Sequence, residues 1–227
     1  MRTLIVTAAL AAFSLGFAAS LDDAVAALDK GDAQSAVNTA LTLNSADGYA
    51  LAAKATTLSA ALAPDSQREG LFEKAVTYAN KAIALDPNNA NAHFELARAD
   101  GRLAQYKGVL QSLGLAGEVK GELNRAIALD PKLAGAYVAL GLWNAEVPFI
   151  AGGNKGQVQP NFDKAIGLEP TVVTHRLEYA NALLKISKRN RQNAINVLER
   201  AVVLTPRDFW EARDLETAKK MLADLKK

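Results

Sequence analysis

The sequence predicts an all-α solenoid of stacked helix pairs, closed by a C-terminal capping helix. Three observations predict it. A six-residue phrase recurs five times along the chain. The composition is 50% hydrophobic but only 6% aromatic, with alanine and leucine carrying most of the apolar count. The last stretch, 208–225, is amphipathic at helical spacing, with Phe209, Ala212, Leu215, Ala218, Met221, Leu222 and Leu225 on one face. Glu211, Arg213, Asp214, Glu216, Lys219, Lys220, Asp224 and Lys226 cover the other. Such a helix suits the end of an array, where the last repeat has no neighbour to bury its outer side.

The phrase reads Ala40-Leu-Thr-Leu-Asn-Ser45, Ala82-Ile-Ala-Leu-Asp-Pro87, Ala126-Ile-Ala-Leu-Asp-Pro131, Ala165-Ile-Gly-Leu-Glu-Pro170 and Ala201-Val-Val-Leu-Thr-Pro206. The last residues of successive copies are 42, 44, 39 and 36 apart. The alanine allows two helix backbones to approach closely, and the leucine is expected to fill the core one turn later. Proline lacks an N–H and clashes with the preceding turn, so each copy ends one helix and turns the chain into the next.

Along the chain, Ser20-Leu-Asp-Asp23 has the layout of a capping box for a first helix ending near Lys30, where Gly31-Asp32 breaks it. A partner follows at 33–44. The next pair is expected at 47–62 and 70–85. Asn88 or Asn89 caps a helix running to the region of Ala104, paired with 117–129. Further pairs lie at 133–147 with 159–168, and at 172–186 with 190–204. Extra residues fall within the second, third and fourth pairs, at 63–70, 105–117 and 145–160. Insertions of this kind are expected as loops on one edge of a stack.

The first twenty residues are read as a secretory signal peptide and not as fold. Arg2 supplies the positive end, Leu4 to Ala18 is uncharged and apolar, and small residues follow. Cleavage is expected after Ala18 or after Ser20, leaving 21–227 as one helical repeat domain. The apolar run is short for a span of about 20 residues, and the alternative is an uncleaved N-terminal anchor helix. The net charge is +2. Without a basic stripe that argues against a nucleic-acid binder. The absence of cysteine removes disulfides, thiolate chemistry and thiolate metal ligands.

No constellation for catalysis, metal or cofactor stands out. His93 and His175 lie two repeats apart without ligand spacing, and a structural role is the default for both. Gly152-Gly153-Asn154-Lys155-Gly156 is glycine-rich but lacks the phosphate-loop pattern and follows a helix, not a strand. Lys185, Lys188, Arg189 and Arg191 gather at a turn. A solvated helix end is the default there, and an anion-facing patch the alternative. The most irregular stretch is 145–160. Val147, Phe149 and Ile150 either form a binding loop beside a flexible tip or fold back onto the helices.

The phrase and its small residues resemble the tetratricopeptide repeat, a helix pair of about 34 residues. Tyr179-Ala180 stands where that family has Leu-Gly, and Ala194, Leu198 and Ala201 match its second helix. Leu96-Ala97 with Ala126, and Leu140-Gly141 with Phe162 and Ala165, match in the same way. The resemblance covers residues 30 to 227 and implies a right-handed solenoid that binds through its concave face. Its groove positions map to Asn91, Phe94, Arg98 and Arg102, then Val138, Leu142 and Glu146, then Leu177, Asn181 and Lys185. They do not form the two-carboxylate clamp of chaperone-binding members. Leu140-Gly-Leu-Trp143, then Glu146-Val147 and an irregular insert, is also similar to the regulator-of-microtubule-dynamics family. A microtubule role conflicts with the expected export signal, so no activity is carried across.

The expected protein is thus a periplasmic or secreted scaffold, not an enzyme. It would bind a protein or peptide in its groove, without a cofactor, nucleic acid or membrane span in the mature form. The alternative is a carrier or transporter-associated protein holding a small apolar ligand under the 147–150 loop.

Overall fold

The computed structural model describes residues 19–106 and 109–227, with the side chains of 109–111 set aside. Residues 1–18, most of the expected signal peptide, lie outside the described residues. Eleven α-helices are found among those described: α1 (Leu21–Asp29), α2 (Ala33–Thr42), α3 (Ala46–Ala60), α4 (Asp65–Leu85), α5 (Ala90–Leu103), α6 (Val109–Leu129), α7 (Ala134–Glu146), α8 (Val158–Leu168), α9 (Val173–Ile186), α10 (Arg191–Ala201) and α11 (Phe209–Leu225). They pack as five consecutive antiparallel pairs, followed by α11. The odd-numbered first helices also pack on one another in sequence, forming a continuous inner layer.

Helix starts follow the local chemistry. Ser20 and Asp23 form a reciprocal capping box at α1, satisfying two backbone donors that the first turn leaves free. Asp32, Ser45, Asn89 and Asp208 cap α2, α3, α5 and α11 with their side-chain oxygens. Gly31 ends α1 at φ +85°, a left-handed conformation that costs glycine little.

The phrase alanines behave as the sequence implies. Ala40, Ala82, Ala126, Ala165 and Ala201 are all fully buried. The phrase leucines do not fill the core. Leu85 is 45% exposed, and Leu43, Leu129, Leu168 and Leu204 are half-buried. They come at helix ends, where the backbone is already leaving the interface. The core is filled instead by residues such as Phe162, Leu123 and Leu198. Phe162 stacks on Tyr179 with centroids 4.7 Å apart. It lies so near Gly141 that a Cβ there would come within 2.7 Å of the ring.

Two expected loops are helix. The second helix of pair two begins at Asp65, not at residue 70, and that of pair three at Val109, not at residue 117. Both are 21 residues long. The extra residues lengthen these helices. The 145–160 stretch, by contrast, is an irregular connection from the end of α7 to the start of α8.

Helix α11 packs on α9 and α10 as a cap. Its first turn also reaches the opposite end of the array. The Trp210 indole N–H donates to the Leu28 carbonyl at 2.8 Å, and the Phe209 ring occupies the space where Gly31 has no side chain. Three residues depart from the expected faces, Asp214 among them, since it is half-buried and accepts a hydrogen bond from the Thr174 hydroxyl of α9. Glu211, placed on the solvent face by spacing, is buried and paired with Arg207 at 2.6 Å. Phe209, placed on the core face, is 38% exposed because it lies at the helix edge against the α1–α2 turn.

Candidate functional site: the inner helix face and the fourth-repeat insert

The first helices present the groove positions unequally. Asn91 and Arg102 on α5, Glu146 on α7, and Asn181 and Lys185 on α9 are exposed. Val138 and Leu177 are buried in the core shared by α7 to α11, which removes both from a binding face. Leu142 is half-buried against the same core. Phe94 is half-buried too, with its ring against Gly135, where a Cβ would come within 2.8 Å. Arg98 is engaged in structure. Its guanidinium pairs with Glu95 at 2.5 Å, donates to the Lys54 carbonyl at 3.2 Å, and lies over the Phe94 ring. Burial pushes the Glu95 carboxyl up, opposed by the charges of Arg98 and Lys54. An unpaired charge at this depth would be costly, so the pair serves packing and orientation. The assignment of Val138 and Leu177 as open groove positions is therefore corrected, while Phe94 and Arg98 keep part of their surface exposed. Four residues apart on a helix marks a common face but does not show how close the next helix lies.

Other polar groups converge on the inner layer that spacing did not single out. Glu178 of α9 lies 3.8 Å from Arg102 of α5 and accepts from the Asn181 amide at 3.2 Å. This contact skips a whole repeat and links the third pair to the fifth. Asp214 of α11 accepts a hydrogen bond from the Thr174 hydroxyl of α9. Burial raises its carboxyl to about 6, and the neighbouring charges of Glu178, Glu211 and Asp208 add to the rise. Asp100 is likewise raised to about 6, by burial first and then by Glu118 and Glu122. The signal for these groups is tertiary, and no sequence periodicity contains it.

Both histidines are tied to the phrase turns. His93 contacts the Pro87 carbonyl at 3.0 Å and Glu122 at 2.5 Å. His175 contacts Glu169 at 2.8 Å, and burial lowers its basicity against the pull of that carboxylate.

The insert is irregular but well anchored. Pro148 ends α7. Residues Phe149–Ala151 make one 3-10 turn and Lys155–Gln157 another. Gly152 turns the chain at φ +89°, and the Gly153 N–H donates to the Pro148 carbonyl at 3.1 Å. At Gly153 a Cβ would fall 1.8 Å from the Val147 carbonyl oxygen, so only glycine fits. Buried Asn144 braces the loop: its amide donates to the Leu140 carbonyl at 2.8 Å and its oxygen accepts from the Asn154 N–H at 3.0 Å. Trp143 braces the far side, with its indole N–H on the Ala116 carbonyl at 2.7 Å and Lys120 over its ring at 4.6 Å. Val147 is half-buried. Phe149 and Ile150 do not fold back: they are 89% and 95% exposed. Fully exposed neighbouring apolar side chains on a braced loop are unusual on a surface and mark a contact region.

The family model of the regulator of microtubule dynamics protein 1-3 matches residues 20–149 of the chain, ending within the insert. No curated protein sequence matches the chain. Among solved structures, TTC0263, a thermophilic tetratricopeptide protein of Thermus thermophilus, is 16% identical, covers 88% of this chain and 97% of its own, and gives a TM-score of 0.67. A Klebsiella pneumoniae protein described as a sel1 repeat protein is 18% identical over 91% of each chain, with a TM-score of 0.55. The human IFIT1 dimer with PPP-AAAA is 17% identical over 91% of this chain and 46% of that one, with a TM-score of 0.59. At these identities the likeness is one of fold: a tetratricopeptide-type helical solenoid.

Proposed function

The chain belongs to the regulator of microtubule dynamics protein 1-3 family, and from that membership and the solenoid fold we propose that it is a non-enzymatic scaffold binding a protein or peptide across its inner helix layer. The supporting observation is the separation of roles along each first helix. Repeat-defining small residues are sunk between helices, while Asn91, Arg102, Glu146, Asn181 and Lys185 are exposed on the same helices, Arg102 and Asn181 both beside Glu178. A repeat array gains a specific partner by varying such positions over a constant core. Export through residues 1–20 belongs to this reading and places the mature protein in the periplasm or outside the cell. No helix among the described residues is long and apolar enough to cross a membrane. The small-ligand carrier is the weaker reading, because the hollow of about 550 Å³ lined by Val147, Pro148, Phe149 and the 153–156 tip is open to solvent, and Ile150 points away from it.

The test pairs affinity capture from the native source with thermal unfolding. Asn91→Arg together with Asn181→Arg places two bulky cations on the inner layer at exposed positions. Partners captured by the wild type should be lost while the thermal midpoint stays the same. Capture that survives both changes rules out the inner layer as the binding face. Intact mass of the exported protein tests the leader, and a mass retaining residues 1–18 contradicts export with cleavage.

A further inference from the structure

Two features remain that the scaffold reading does not use, and the fold brings them to one edge. Helices α7 and α9 pack side by side. Each is separated from the next by one antiparallel partner, so they run in the same direction. Their C-terminal ends therefore emerge together. One end leads into the braced insert with exposed Phe149 and Ile150. The other leads into the turn that carries Lys188 and Arg189. Lys185, in the last turn of α9, and Lys155, on the insert, extend the basic character of this edge. All four cations are exposed. None has a carboxylate partner among the described residues. Glu146 is the acidic side chain on the same stretch. Four unpaired cations at one edge of a nearly neutral protein, beside an apolar tip, form an asymmetric surface.

The geometry points to this edge as a docking site for an anionic lipid surface. Phe149 and Ile150 enter the boundary between headgroups and acyl chains, and Lys155, Lys185, Lys188 and Arg189 face the headgroups. A folded protein partner would need a hollow shaped to this tip and carboxylates placed one repeat away. A bilayer needs neither, since its interior is fluid and its charge is diffuse. Juxtaposed apolar and basic groups are the recognised requirements for interfacial binding, and anionic headgroups attract Lys and Arg within a screening length. The bracing by Asn144, Trp143 and Gly153 keeps the two apolar side chains outward, so little ordering is lost on docking.

Vesicle co-sedimentation of the full-length protein tests this. The probes are vesicles of phosphatidylcholine alone and of equal parts phosphatidylcholine and phosphatidylglycerol. Every variant carries the same N-terminal segment, so differences between variants report on the edge. Wild type should prefer the phosphatidylglycerol vesicles. Phe149→Ser with Ile150→Ser should lower partitioning on the order of tenfold at both low and high salt. Lys188→Glu with Arg189→Glu should lower it by about tenfold or more at low salt, with the gap closing as salt rises. All of these side chains are exposed, and circular dichroism should show unchanged helix content. Asn91→Arg alone, in the first turn of α5 and at the far end from this edge, should leave vesicle binding unaltered, which separates this proposal from the inner-layer reading. Wild type that ignores both vesicles overturns the proposal and leaves the tip to a protein partner. Binding that neither double substitution weakens overturns it as well.

Discussion

Extra residues enter the repeats in two ways, and the contrast explains where this molecule is plain and where it is specialised. In the second and third pairs they lengthen a helix; in the fourth they form the insert. The cause is local. After Pro64 the chain continues Asp65-Ser-Gln-Arg-Glu, with an acid in the first turn where the helix dipole favours it. The Arg68 side chain then reaches back to the Ala63 carbonyl at 3.0 Å. The segment before residue 117 is rich in leucine and similar helix formers, and α6 starts at Val109. The fourth repeat has Pro148 directly after α7, and Gly152 and Gly153 shortly beyond. Proline stops the helix, and the glycines adopt a turn that no other residue fits. An insertion that obeys helix chemistry disappears into the fold. One that carries breakers must be held by side chains from elsewhere, and it can then display what it carries.

The two kinds of insertion meet at Trp143, so its removal should give the largest effect. Trp143→Ala should destabilise by about 3–5 kcal/mol, the usual cost of deleting a buried tryptophan. Hydrogen exchange should speed up both in the first half of α6 and at 152–154, because the indole touches Ala116 on one side and the insert on the other. A response confined to one side would mean that the insertions are supported independently. Next in size is Gly153→Ala. With a Cβ 1.8 Å from a backbone oxygen the turn must open, and a loss of about 2–3 kcal/mol in urea unfolding is expected, at the upper end of overpacking costs. Asn144→Ala should follow at about 1–2 kcal/mol, since it leaves the Asn154 N–H without its acceptor. In that variant the insert should lose protection while α4 and α6 keep theirs.

Much of the architecture was legible from the phrase alone. A buried alanine one turn before a proline is a local rule, and all five copies bury their alanine, the first with Ser45 in the proline's place. Capping was legible for the same reason: Ser20 and Asn89 act on backbone donors three residues ahead. Helices α4 and α6 run longer than the sequence reading expects, through the glycines at 70, 114 and 117. In the structure each lies on an open helix face, where glycine is merely weak. The inner layer was legible only in part. The tetratricopeptide resemblance placed Asn181 and Arg102 on the first-helix face, but not the approach of α5 to α9 that puts Glu178 beside both. Nor could spacing show that the ring of Phe94 would fill the room beside Gly135. Those facts depend on the curvature of the array, which is set by packing across many residues and written in no single window.

The smallest expected effect has the opposite sign and separates the two kinds of insertion most clearly. Gly70 in α4 and Gly117 in α6 have open space where a side chain would project. Neither has a positive φ, and both sit within regular helix. Alanine there restricts the unfolded chain without straining the folded one, so each substitution should stabilise by roughly 0.5–1 kcal/mol. The same chemical change, glycine to alanine, should therefore raise the urea midpoint at residues 70 and 117 and lower it at residue 153. If Gly70→Ala leaves the midpoint unchanged or lowers it, the first turns of α4 are not stable helix in solution. The second-repeat insertion would then be a loop after all, and the distinction between insertions absorbed by helices and insertions held by bracing side chains would fail at its simplest point.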